Sequence, residues 1–154
     1  MHDALMRRVY RLGYRVLWVL SFLRTPRGRG AKGLLTNAGE VLLVRHTYGP
    51  DEWELPGGGS RRGEDAAATM RRELREELGL EVADAVALGT HHGDGRNAGV
   101  LVSYFAAALP DRRVRRDPVE IAEVAWFDLA MPPLQLGRHA KEAIALYSKA
   151  LASP

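Results

Sequence analysis

Residues 58–80 read GGSRRGEDAAATMRRELREELGL, and the rest of the chain is organised around them. Pro56-Gly57-Gly58-Gly59 leads in, a stretch where backbone without Cβ atoms turns sharply and lets a ligand approach closely. From about Asp65 the residues are strong helix formers, and Gly79 supplies a C-terminal stop. Ala67, Met70, Leu74 and Leu78 recur at helical spacing and define a buried stripe. Glu73, Glu76 and Glu77 share a neighbouring face at i, i+3 and i+4, where like charges cost about 0.2–0.5 kcal/mol per pair. On a solvated face Arg71, Arg72 and Arg75 would neutralise them. A divalent cation would offset the same repulsion, and three carboxylates near a glycine loop suit a hard one. Mg²⁺ takes oxygen ligands in octahedral geometry and commonly shares its sphere with substrate phosphates; Mn²⁺ is the natural substitute.

The flanking pattern decides between these readings. Gly58, five residues, Glu64, seven residues, Arg72-Glu73-Leu74, one residue, Glu76-Glu77, one residue, Gly79-Leu80 resembles the complete signature of the Nudix hydrolases. All nine specified positions over the 23 residues are filled. The lead-in Trp53-x-Leu55-Pro56-Gly57-Gly58 also resembles the family, and the strand pattern extends the likeness over residues 31–150. The resemblance implies an α/β fold of the Nudix type, an α/β/α sandwich around a mixed central sheet. It implies a Mg²⁺-dependent hydrolase that cleaves the diphosphate of a nucleoside diphosphate linked to another moiety, such as a nucleoside triphosphate or a nucleotide sugar.

Site residues follow from the same resemblance. Glu76 and Glu77 are the first choice as direct metal ligands, with Glu73 close behind and the Gly58 carbonyl as a further donor. Glu64 and Arg72 are the expected brace of the loop against the helix. Leu74 and Leu80 belong to the core. The general base in this family comes from inside the signature or from a glutamate in a later loop, where Glu120 and Glu123 stand. Glu73, Glu76 and Glu120 are therefore the candidate catalytic acids. Gly57, Gly58, Arg61 and Arg62 are candidate substrate contacts. Arg45, at the end of a strand, has two open roles, gripping a phosphate or pairing with a surface acid. His91 and His92 have no third histidine or cysteine at zinc spacing and read as loop residues. Trp53 reads as packed rather than stacked on a base.

At 154 residues the chain is long enough for one domain with a real core. A hydrophobic content of 46% with 27% charged residues fits an ordinary globular protein. The absence of cysteine excludes disulfides and thiolate metal sites and is compatible with a cytoplasmic location. The net charge of +3 hides an asymmetry. Residues 1–33 carry eight basic residues and one acid, which leaves 14 basic and 18 acidic residues for the remainder. Residues 4–24 read as a basic amphipathic helix, and residues 1–30 as that helix and a linker ahead of a domain at 31–154. Its apolar run, Val16 to Leu23, is far shorter than the roughly 20 residues that span a bilayer. Packing on the domain or on a second copy in a homodimer is the leading role, ahead of an anionic membrane surface and of nucleic acid.

In order, Ala31–Leu35 and Val41–His46 read as strands joined by a turn at Gly39, and Trp53-Glu54-Leu55 as a short strand feeding the glycines. Glu81–Leu88 reads as a strand, His91–Asn97 as a polar loop, and Gly99–Ala108 as the strongest strand in the chain. Ala125-Trp126-Phe127 is a further strand, and His139–Leu151 a terminal helix. The marks that sort substrates within the family, among them a proline about 16 residues past the signature, are missing, since Gly95 and Arg96 occupy that region. Nucleoside triphosphates, nucleotide sugars and 5′-triphosphate RNA stay open as substrates. The alternatives are an RNA 5′-end pyrophosphohydrolase and a non-catalytic module that binds a nucleotide.

Overall fold

The computed structural model of the protein describes residues 28–95 and 98–153. The basic helix expected over residues 4–24 lies outside the described residues. Among those described, the order is β1 (Arg29–Asn37), β2 (Glu40–His46), β3 (Gly57–Gly59), α1 (Ala66–Leu78), β4 (Val86–His92), β5 (Leu101–Ala108), β6 (Ile121–Asp128) and α2 (Arg138–Ala152). Arg29 and Gly30, assigned from sequence to a linker, open β1 and pair with β5. No described helix is long and apolar enough to cross a membrane.

The six strands form one mixed sheet in the order β4-β5-β1-β2-β6, with β3 paired to β1 off that path. β1 is the spine. It runs parallel to β5 on one edge and shares its other edge between β2 and β3, both antiparallel. Ala38 and Gly39 both have positive φ, 48° and 83°, which is the two-residue I′ turn whose twist matches antiparallel strands.

Both faces of β1 are covered, so it reads as an apolar run rather than an alternation. Ala31 and Leu35 pack with Met70, Leu74 and Leu78 of α1. Leu34 packs on the other face with Tyr104, Trp53 and the α2 residues Ala140, Ala143 and Ile144. The result is the expected helix–sheet–helix sandwich. α1 begins where the Asp65 side chain accepts from the Ala68 N–H at 2.7 Å and ends at Gly79 in the left-handed region.

Three sequence expectations are corrected. The glycines 57–59 are a paired strand, not a free loop, because three residues without side chains let β3 lie directly against β1. β4 starts at Val86 rather than Glu81. Residues 81–85 instead carry the chain off α1, with Val82 buried against the helix core and Glu81 held by Arg75. His91 and His92 are the end of β4, paired with Val102 and Leu101, and not part of a loop.

Leu74 is fully buried between α1 and β1, its Cδ1 3.3 Å from where a Cβ on Gly33 would lie. Leu74→Ala is expected to cost about 2–5 kcal/mol, read as a lower urea midpoint with an unchanged denaturant slope.

Candidate functional site

The site starts from a backbone constraint. Gly57 has φ of +135°, and a Cβ there would sit 2.2 Å from the Ala31 carbonyl oxygen. Only glycine fits so tight a pairing with β1. The Gly57 N–H then points at α1 and donates to Glu77 Oε2 at 2.8 Å. At Gly58 a Cβ would lie 2.7 Å from the Glu73 carboxyl carbon, so this glycine admits the acid against the backbone.

Glu73 and Glu77 lie one turn apart on the face of α1 that meets this bend, and both are buried. Glu120, just ahead of β6, joins them. The three offer carboxylate oxygens that lie within 4.8 Å of one another. Glu77 is 1% exposed. Burial and the neighbouring Glu77 push the Glu73 carboxyl up to about 7, against the pull of Arg72.

Arg72 ties loop to helix. Its Nε and Nη2 donate to both oxygens of Glu64, at 2.8 and 3.0 Å, and Nη2 also donates to the Gly59 carbonyl at 2.9 Å. Nη1 reaches Glu73 at 2.6 Å and Glu76 at 3.1 Å. Glu64 additionally accepts from the Arg61 N–H and the Thr69 hydroxyl. The Arg72 guanidinium beside it, with these donors, holds the Glu64 carboxyl at about 2.

A profile of the NUDIX domain matches residues 26–148. The chain belongs to the Nudix family. It is 38% identical over 100 residues to an RNA pyrophosphohydrolase of Teredinibacter turnerae, a match covering 64% of this chain and 53% of that protein. It is 45% identical over 65 residues to a putative 8-oxo-dGTP diphosphatase 2 of Mycobacterium tuberculosis, covering 40% of this chain and 45% of the other. The chain thus spans about half the length of these curated relatives. Among solved structures, the MutT NUDIX hydrolase from Burkholderia pseudomallei superposes with a TM-score of 0.70 at 24% identity, over 77% of this chain and 96% of that one. That likeness is one of fold.

Within the Nudix signature, the acids separate. Glu73 and Glu77 stand in the buried cluster, whereas the Glu76 carboxylate is 37% exposed and held by Arg61 and Arg72 at 3.0 and 3.1 Å. Of the two later glutamates, Glu120 enters the cluster. Glu123 is exposed on β6, 3.9 Å from Arg45. Arg45 sits over the Trp53 ring at 4.6 Å, donates to Gln135 at 2.9 Å and lies 3.5 Å from Asp51. It therefore joins the two loops that flank it. Arg62 is exposed. Trp53 is buried edge-on against Phe127.

Two groups of residues carry no sequence signal of a site. His46, at the end of β2, places Nε2 3.2 Å from Glu77 Oε1. On the α2 side of the sheet the Tyr104 hydroxyl lies 2.6 Å from His139 Nδ1 and 3.0 Å from Glu142, which also meets His91 Nδ1 at 2.8 Å. Burial and the Glu142 hydrogen bond raise the Tyr104 phenol, and burial with nearby Lys32 lowers His139. An open cavity of about 700 Å³, lined by Glu52, Leu136, Arg138, Lys141 and Glu142, begins here. Tyr104, His139 and Glu142 look like ordinary polar positions until the sheet brings β4, β5 and α2 together.

The buried acids fit a divalent cation. They are an all-oxygen donor set of the kind Mg²⁺ and Mn²⁺ prefer. Each carboxylate oxygen that already accepts one hydrogen bond keeps a second lone pair for an ion. Burial and the repulsion from Glu77, which raise Glu73, are what a cation would offset. Among the described residues no other group of three acids or histidines comes together this way.

Because its carboxyl is depressed in the fold, the stability that Glu64 lends is present above the ordinary carboxylate range and is lost as pH falls from about 4.5 toward about 2. Glu64→Gln is expected to cost about 2 kcal/mol at pH 7, a charged hydrogen bond discounted for partial exposure. In thermal melts from pH 7 to pH 2.5, the gap between the two proteins should narrow steadily below about pH 4.5.

Proposed function

We propose that this chain is a Mg²⁺-dependent hydrolase that splits a diphosphate bond in a nucleoside diphosphate linked to another moiety. The observation that carries this reading is the convergence of the buried Glu73, Glu77 and Glu120 carboxylates beside a glycine bend. Three buried like charges are costly without a counter-ion, and such a set has no use in a module that merely packs. Glu73, Glu77 and Glu120 would hold the cation, with Glu76 at the solvent side. When bound, the cation neutralises phosphate oxygens and acidifies the attacking water.

The chain's own groups do the rest. Gly57 lets the bend press against β1 and Gly58 keeps a side chain away from Glu73, so a diphosphate can come close. Arg61, exposed and paired with Glu76, exchanges that carboxylate for a phosphate oxygen, and Arg62 adds charge beside it. Glu76, thereby released, accepts the proton of the water whose oxygen bonds to phosphorus as the bridging P–O bond breaks. The leaving phosphate takes the bridging oxygen. Arg72 keeps the loop and helix in register throughout.

A second substrate reading, 5′-triphosphate RNA, is favoured by the likeness to an RNA pyrophosphohydrolase over 64% of this chain. Free nucleotides are favoured by the likeness to a putative 8-oxo-dGTP diphosphatase. Both classes present the same diphosphate to the acids.

A phosphate-release screen over nucleoside triphosphates, nucleotide sugars and 5′-triphosphate RNA, with Mg²⁺ or Mn²⁺, tests the reading. Activity should vanish with chelator. Glu77→Gln and Glu120→Gln should each lower kcat by at least about a hundredfold while the melting temperature in chelator stays level or rises, since a repelling charge is gone. Cleavage of RNA above all nucleotides, with affinity falling steeply as salt increases, would select the RNA reading. Nucleotide binding without turnover would overturn the enzyme reading.

A further inference from the structure

Outside the Nudix signature, the end of β2 also reaches the acid cluster. His46 closes β2, its side chain only 13% exposed, with Nε2 3.2 Å from Glu77 Oε1. The other oxygen of Glu77 accepts from the Gly57 N–H at 2.8 Å. The two partners hold the carboxylate between them, one oxygen each. This leaves Glu77 a single orientation, with its remaining lone pairs free.

The strand is shaped for this contact. β2 pairs regularly with β6 from Glu40 to Arg45, and then the register slips, so that Arg45 faces Glu123 but His46 faces Ile121. The additional residue on β6, Ala122, makes a bulge at the point where β2 passes the cluster. Bulges bend strands and re-aim side chains, often beside active sites. The residue that follows does related work, since the Thr47 N–H donates to the Glu120 carbonyl at 2.9 Å and its hydroxyl to the Val119 carbonyl at 2.7 Å. The end of β2 therefore touches two of the three acids, one through its carboxylate and the other through its backbone.

We infer that His46 is a positioning residue: through its Nε2–H it orients the Glu77 carboxylate for the cation, and it contacts neither ion nor substrate itself. This rests on the reading of Glu73, Glu77 and Glu120 as a cation site. A ring at this place has an alternative use, because His46 also lies 5.2 Å from the Tyr48 ring, tilted by 39°. A packing role would depend on the ring and a positioning role on the donor.

Two variants separate them. His46→Phe keeps the ring and loses the donor, whereas His46→Gln loses the ring and keeps an N–H donor. Mn²⁺ is titrated into the nucleotide-free full chain and followed by electron paramagnetic resonance, and kcat and KM are measured with Mg²⁺ on the best substrate. His46→Phe is expected to weaken Mn²⁺ binding by about tenfold or more and to lower kcat with little change in KM for the nucleotide. His46→Gln should recover most of both. Unchanged Mn²⁺ affinity in His46→Phe, or an equal loss in His46→Gln, overturns the inference while leaving the cation site standing. Should His46→Phe fail to fold by circular dichroism, His46→Leu gives the same comparison with His46→Gln. Failure of the wild-type chain to bind Mn²⁺ overturns the cation reading, and this inference with it.

Discussion

Glu77 is an acid with almost no solvent contact, and the arrangement of the site follows from what it takes to keep it there. A buried carboxylate without partners is too costly to persist. Here one oxygen is met by a backbone N–H and the other by an imidazole. The N–H is available only because Gly57 adopts a backbone conformation that side chains rarely tolerate, pressed against β1. The strand pairing, the helix position and the acid cluster are thus one constraint seen from three sides.

Arg72 extends that constraint to the loop. A single guanidinium meets Glu64, Glu73, Glu76 and the Gly59 carbonyl, so the segment between β3 and α1 cannot move independently of the helix. It also sorts two adjacent acids. Residues 76 and 77 are separated by one helical step of about 100°, enough to send one carboxylate into the cluster and leave the other at the rim with Arg61. Neighbours in sequence therefore have different chemistry available to them.

β1 divides the molecule. On the α1 side lie the acids and the glycine bend; on the α2 side lie Leu34 and the hydrogen-bonded group of Tyr104, His139, Glu142 and His91, beside the open cavity. Only Leu55 and Pro56 separate Glu54, whose carboxylate lies against Gly137 on the α2 side, from Gly57. The polar group on one face and the clustered acids on the other are in this way joined by a short piece of chain. Such a short connection suits a site that must hold several charged groups at fixed separation.

Much of this was legible from residues alone. The glycine run, the helix formers from about Asp65, the Gly79 stop and the spacing of Glu64, Arg72, Glu73 and Glu77 are local features, set by backbone freedom and the 3.6-residue period, and they specify helix, bend and family together. Leu74 was readable as core from the same period, and Trp53 as packed from its place in the lead-in to the signature. The division of Glu76 from Glu77, the entry of Glu120 rather than Glu123 and the approach of His46 were not. Each depends on the distance between segments far apart in the chain, and on a one-residue slip between β2 and β6 that no periodicity announces. Local chemistry in the sequence determined which acids are available, whereas only the packing of strands against the helix decided which of them meet, because a carboxylate's surroundings are set by neighbours that sequence spacing does not encode.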